Sequence, residues 1–186
     1  MTADRRYPLR FALLGASSGA IATGLLMVLP QRWKIEIADV LWLSSLSVVA
    51  GLVFGVIFGA VLRYLGLATP RAAALYVLAA TLSYFLAVNL ALHLVDRLEA
   101  IWQVGLIAGL AGAACLTALA AWLLPFARRL GPCALMLTAG CLLGALLEFP
   151  VRNGSDFWDW LLFYGAWQAG YAAAFATALP KTAGEG

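Results

Sequence analysis

Long apolar stretches alternate with short polar segments along the whole chain, and this alternation is the main structural signal in the sequence. An α-helix rises about 1.5 Å per residue, so roughly 20 apolar residues cross a bilayer core of about 30 Å. The pattern therefore predicts an all-α, polytopic membrane bundle that forms one integral membrane domain over residues 1–186. Six transmembrane helices are expected, at residues 9–29, 41–62, 72–95, 101–126, 132–149 and 160–179.

Small residues recur four positions apart in several of the predicted helices. The clearest example is Gly51, Gly55 and Gly59 in the second one. This spacing places the three glycines on one helix face, where another backbone can approach closely. Close packing drives helix association in lipid, so we predict a glycine zipper. Nine glycines are expected at helix contacts: Gly15, Gly19, Gly51, Gly55, Gly59, Gly105, Gly109, Gly140 and Gly144.

Basic residues are divided unequally between the two sets of polar segments. If the N-terminus is inside, eight basic residues lie on the inner side: Arg5, Arg6, Arg10, Arg63, Arg71, Arg128, Arg129 and Lys181. Four lie outside: Arg32, Lys34, Arg97 and Arg152. The positive-inside rule then predicts that both termini are on the inner side (N-in/C-in). We expect the protein in the inner (plasma) membrane of a bacterium, in contact with the lipid bilayer.

Composition argues against several classes of function. The chain is 64% hydrophobic and 11% charged, whereas soluble domains carry about 25% charged residues. The bases are scattered, so nucleic acid is not an expected partner. The single His excludes a bis-His haem, and the three Cys lack metal or redox spacing, so no cofactor or metal is expected. Metalloprotease, phosphate-loop and serine-hydrolase motifs are missing, so we predict no enzyme.

Polar side chains within the predicted helices concentrate toward their outer ends. Such groups are costly in lipid unless they face the bundle interior or water. We therefore expect them to converge, with Trp102 and Trp167 as apolar walls, on a ligand site open to the outer face. The predicted site comprises Asn89, His93, Trp102, Gln103, Glu148, Trp167 and Gln168. The alternative is a structural role, in which these groups cap helix ends or form hydrogen bonds between helices.

The last predicted helix carries large aromatic side chains at helical spacing, opposite a side of Gly and Ala. The stripe comprises Trp160, Tyr164, Trp167, Tyr171 and Phe175. Because the small side can pack tightly into the bundle, the aromatic side is expected to face lipid, a partner protein or a hydrophobic ligand.

Two functions follow from these patterns. The polar cluster favours a small transport or solute-binding membrane protein with a site open to the outer (periplasmic) face. The aromatic stripe favours a non-catalytic subunit that docks onto a larger membrane complex, with other membrane subunits or a second copy as partners. A further pattern is an echo 65 residues apart, Trp102-Gln-Val-Gly105 and Trp167-Gln-Ala-Gly170, which is compatible with an internal repeat.

Overall fold

The computed structural model describes residues 6–29, 34–38, 41–153 and 156–180. Within these residues six long helices and one short helix make up most of the chain: α1 (Arg6–Val28), α2 (Ser45–Tyr64), α3 (Pro70–Leu94), α4 (Ile101–Leu123), α5 (Leu130–Gly144), the short α6 (Glu148–Arg152) and α7 (Phe157–Ala176). A two-stranded antiparallel hairpin, β1 (Lys34–Ala38) and β2 (Leu41–Ser44), precedes α2.

The described residues include four helical segments that are long and apolar enough to cross a membrane: Tyr7–Val28, Pro70–Leu94, Ile101–Leu123 and Leu130–Arg152. A shorter apolar helix covers Val48–Tyr64. The prediction of an integral membrane protein built from helices is thereby confirmed. Helix α7 is not among the four. Its sequence mixes Asp159, Gln168 and several Trp and Tyr residues with its apolar ones.

Two predicted helix boundaries are wrong. The second helix begins at Ser45 instead of Leu41, because residues Leu41–Ser44 form the second strand of the hairpin. The first strand, Lys34-Ile-Glu-Ile-Ala, alternates polar and apolar residues as strands do. The fifth predicted helix is interrupted: α5 ends at Gly144, a 3₁₀ turn covers Ala145–Leu147, and α6 follows. Three bases used for the topology prediction, Arg5, Arg32 and Lys181, lie outside the described residues.

Three helix pairs pack most closely, α1 with α7, α2 with α3, and α4 with α5, and each has glycines at the contact. A Cβ on Gly19 would lie 2.6 Å from the Cα of Gly165, and one on Gly55 would lie 2.8 Å from the Cα of Val77. A Cβ on Gly105 would meet the carbonyl of Gly144. The other six predicted glycines also lie where a Cβ would come within 3.1 Å of a neighbouring helix: Gly15, Gly51, Gly59, Gly109, Gly140 and Gly144.

The long helices form a ring. Besides the three close pairs, α1 packs against α2, α3 against α4, and α5 against α7, which gives the order α1, α2, α3, α4, α5, α7 and back to α1. The short α6 rests mainly on α7 and α4. Glycines thus set the distances within pairs, and larger side chains fill the space that the ring encloses.

The aromatic side of α7 fills this space. The Tyr171 ring meets Phe54 of α2 at 6.1 Å between centroids, and Trp167 meets Tyr84 of α3 at 5.1 Å. The expectation that the stripe faces lipid or a partner is therefore wrong. Four of its members are buried inside the ring and the fifth is half-buried at one end: Tyr164, Trp167, Tyr171, Phe175, and then Trp160. The physical reason is that α7 packs on both sides, its small side against α1 and its aromatic side against the ring interior.

Candidate functional site

A cavity of about 300 Å³ lies between α3, α4, the α5–α6 junction and α7. Its lining is almost entirely apolar. The cavity walls come from the second half of α3, the first half of α4 and the first half of α7, so the cavity occupies one end of the ring. The side chains that carry the argument below are Tyr84, Val88, Ala91, Ala108, Phe163 and Trp167.

The cavity arises because two facing helices carry small residues along the same stretch. Helix α3 contributes Ala87 and Ala91, and α4 contributes Gly105, Ala108 and Gly112. Side chains this short leave the space between the helices unfilled. The aromatic side chains of α7 close the opposite wall, and they are held in place by the core of the ring.

The mouth of the cavity lies at the end of the bundle that carries the α3–α4 and α6–α7 connections. Leu92, near the end of α3, and Val151, in α6, both line the cavity and are both 43% exposed. The deeper wall is formed by Tyr84 and Trp167, which are buried. A molecule would therefore enter past Leu92 and Val151 and reach Tyr84 and Trp167 last.

The size of the cavity bears on what fills it. A closed, empty cavity of this volume would cost about 7 kcal/mol at ~24 cal/mol per Å³, comparable with the whole stability of a typical domain, about 5–15 kcal/mol. Water requires polar partners, and this lining offers almost none. An apolar occupant is the alternative that the lining favours, and about 300 Å³ is the lower end of the range for small-molecule sites.

The structure places one of the seven predicted site residues in the cavity wall. Trp167 lines the cavity, and its indole Nε1 donates a hydrogen bond of 3.0 Å to the carbonyl of Gly140 on α5. Asn89 is buried, but its amide donates to the carbonyl of Phe85 in its own helix at 2.8 Å. Asn89 is not among the residues that line the cavity.

The other predicted residues do not line the cavity either. His93 and Trp102 are exposed, and Gln103 is half-buried. Glu148 pairs with Arg152 four residues later on the short α6, at 2.9 Å between Oε1 and Nη1. Six of the seven predicted residues therefore lie outside the cavity wall, and most of them lie near helix ends, where they reach the surface or bond locally.

Gln168 differs from the other six because it is fully buried in the middle of α7. Neither its amide nitrogen nor its amide oxygen has a hydrogen-bond partner among the described residues. The Tyr84 hydroxyl lies near this amide, but the two do not meet the distance and angle of a hydrogen bond. The pair joins α3 to α7 directly behind the wall of the cavity.

Two more buried groups lack a hydrogen-bond partner among the described residues, the Tyr76 hydroxyl and the Ser18 Oγ. Tyr76 is close enough to Tyr84 for their hydroxyls to interact electrostatically. Ser18 lies on the stretch of α1 that packs against Gln168 and the preceding turn of α7. We call Ser18, Tyr76, Tyr84 and Gln168 the polar core.

Neighbouring buried hydroxyls are satisfied, which makes the polar core distinctive. Tyr171 and Thr117 lie 3.2 Å apart, oxygen to oxygen. Thr23 and Ser83 donate to carbonyls one turn back in their own helices, at 2.9 and 2.8 Å. Buried polar atoms normally have a partner, so an unpaired set calls for an explanation.

The sequence carried only a weak signal for the cavity. The spacing of small residues on α4 indicates packing positions, and Gly105 and Gly109 do contact α5, but they also line the cavity. The described residues contain no group of three or more His, Cys, Asp or Glu side chains that could hold a metal ion. Comparison with known proteins finds no matching family, no similar curated protein and no similar solved structure, so the functional conclusion depends on this geometry.

Proposed function

We propose that this integral membrane protein binds a small hydrophobic molecule in the cavity between α3, α4, α6 and α7, as a transport or solute-binding protein. The observation that carries the proposal is the cavity itself, about 300 Å³ with an almost wholly apolar lining. Clefts that bind small molecules are typically apolar, lie between helices and have a few polar groups close by. The polar core supplies those groups.

The distribution of basic residues supports a placement of the mouth. With both termini inside, the α3–α4 and α6–α7 connections lie on the outer face. The ligand would then enter from the outer side of a bacterial inner membrane, or from the outer leaflet. The aromatic face of α7 is buried, so a docking subunit would have to use a different surface, and no particular face of the described chain favours that role.

Photolabelling tests the proposal. Protein in lipid nanodiscs is treated with an alkyl diazirine, a photoactivated apolar probe, and the labelled residues are located by mass spectrometry. We expect saturable labelling of Val88 and Phe163, above the non-saturable labelling of lipid-facing residues. Ala91→Phe places a ring in the cavity, and overpacking of this kind should lower the affinity about tenfold.

A matched control is Ala114→Phe. Ala114 also lies on a long helix, α4, but it is exposed and does not line the cavity. In this variant the probe should label Val88 and Phe163 as it does in the wild type. Labelling of these two residues that never saturates, or that is insensitive to Ala91→Phe, would contradict a ligand site.

A further inference from the structure

The proposed cavity is lined by apolar side chains, but hydrogen-bonding groups that have no partner within the described part of the chain lie beside its deepest wall. Tyr84 belongs to both regions, because it lines the cavity and its hydroxyl is one of the unpaired groups. Of the four residues in the polar core, Tyr84 is the one that a molecule in the cavity reaches first. Gln168 does not line the cavity itself, but its amide lies near the Tyr84 hydroxyl.

The charge of the surroundings limits what these groups can receive. The buried polar side chains of the described residues are hydroxyls and amides, with no Asp, Glu, Lys, Arg or His among them. No charged side chain lines the cavity in the described part of the chain. A charged group placed here would lose its hydration without gaining a counter-ion, which is strongly unfavourable.

Amides and tyrosine hydroxyls both donate and accept hydrogen bonds. They can therefore pair with an alcohol, a ketone, an ester or an amide without a change of protonation. We infer that the ligand is a neutral amphiphile, whose apolar body fills the cavity and whose uncharged hydrogen-bonding group is received by Tyr84 and Gln168. This inference rests on the proposed function, and it adds the chemical class and the orientation of the ligand.

The experiment measures protection from the alkyl diazirine at Val88 and Phe163 by four competitors of equal chain length: decane, 1-decanol, decanoate and decylammonium. In the wild type, decanol should protect best, decane less well, and the two ions least. Protection is expressed against the concentration of each compound in the lipid, measured separately, so that differences in partitioning between the compounds cancel.

Two variants remove the hydrogen-bonding groups while they keep the shape of the site. Tyr84→Phe deletes one hydroxyl, and Gln168→Met replaces the amide by an apolar chain of similar length. Each should weaken protection by decanol about tenfold, the order of a lost hydrogen bond, and leave protection by decane unchanged. Thr117→Val is the control, since it removes a buried hydroxyl that pairs with Tyr171 and does not line the cavity.

The outcomes separate this inference from the proposed function. The inference is wrong if decane and decanol protect the wild type equally. It is also wrong if neither substitution changes the protection by decanol relative to that by decane. In either case the polar core only holds water or packs the bundle. Protection by decanoate or decylammonium as strong as that by decanol would overturn the neutral class. If none of the four protects, the proposed ligand site itself fails, and this inference with it.

Discussion

The two Trp-Gln-x-Gly segments of this chain share a local sequence but occupy opposite environments. Trp102 and Gln103 begin α4, where the indole is 43% exposed and the amide is half-buried. Trp167 and Gln168 lie in the middle of α7, where they are 5% and 0% exposed. The same four-residue pattern therefore specifies neither burial nor function. The position of each helix in the ring determines both.

The contrast reverses at the glycines of the two segments. A Cβ on Gly105 would meet the backbone carbonyl of Gly144, which cannot move without a shift of α5. A Cβ on Gly170 would meet the end of the Leu143 side chain, which is flexible. The more exposed segment thus contains the less tolerant glycine, so burial of one residue does not report the packing of its neighbour three positions away.

A second pair of segments 65 residues apart, Arg63-Tyr-Leu-Gly66 and Arg128-Arg-Leu-Gly131, differs in the same way. Gly66 follows α2 in a turn and has φ of 69°, whereas Gly131 lies in the first turn of α5. Neither half of the echo joins equivalent structural positions, so the structure gives no support to an internal repeat at these sites.

The two segments should differ most in the stability that the protein loses when their Gln is replaced by Glu. Gln168→Glu places a carboxyl where no counter-charge is available, which should destabilise the protein by on the order of 3 kcal/mol. Gln103→Glu lies in the first turn of α4, where the helix dipole favours a negative charge, so its effect should stay within about 0.5 kcal/mol. Thermal unfolding in mild detergent, followed by tryptophan fluorescence, measures both. Equal losses of melting temperature would mean that Gln168 reaches water.

An alanine at the Gly positions should give the next largest difference in stability between the two segments. Here the segment that begins α4 should lose more stability than the segment in α7. Gly105→Ala forces α4 and α5 apart at a backbone contact and should cost about 1–3 kcal/mol. Gly170→Ala requires only a movement of Leu143, and alanine favours the helix by up to about 1 kcal/mol, so this variant should be near neutral. The same unfolding assay tests the pair, and a more stable Gly105→Ala would argue against the close α4–α5 contact.

The smallest difference is expected at the Trp positions. Trp167→Phe loses the hydrogen bond to the Gly140 carbonyl and part of a buried ring, which should cost about 1–2 kcal/mol. Trp102→Phe changes a largely exposed side chain and should stay within about 0.5 kcal/mol. If the two variants unfold at the same temperature, the indole of Trp167 contributes no more than a surface residue does.

The sequence predicted most of the helices because their signals are local. Apolar length and flanking polar residues located α1, α3 and α4 to within a few residues of the observed ends. The aromatic stripe of α7 was also found as a set, from its helical spacing. Its direction was not, because a membrane interior and a protein core are both apolar, and hydrophobicity cannot distinguish a lipid-facing side from a packed one.

The candidate site was harder to predict from the sequence than the helices were. Polar residues within apolar helices suggest a ligand site, yet Asn89 bonds to the Phe85 carbonyl of its own helix and Glu148 pairs with Arg152. The cavity instead comes from what two helices lack, the side-chain volume at Ala91 and Ala108. Missing volume has no signature in one helix alone, since it becomes a cavity only when another helix presents small residues at the same depth.

By itself the sequence determined that this chain forms membrane-spanning helices and where glycines allow close approach, because helix length, apolarity and four-residue spacing act within a single helix. The tertiary structure alone decided which side of α7 faces the interior, which polar groups are left without partners and where a cavity opens. Those properties depend on which helices become neighbours. In lipid, that choice depends on close packing between surfaces, which a hydrophobic pattern does not record.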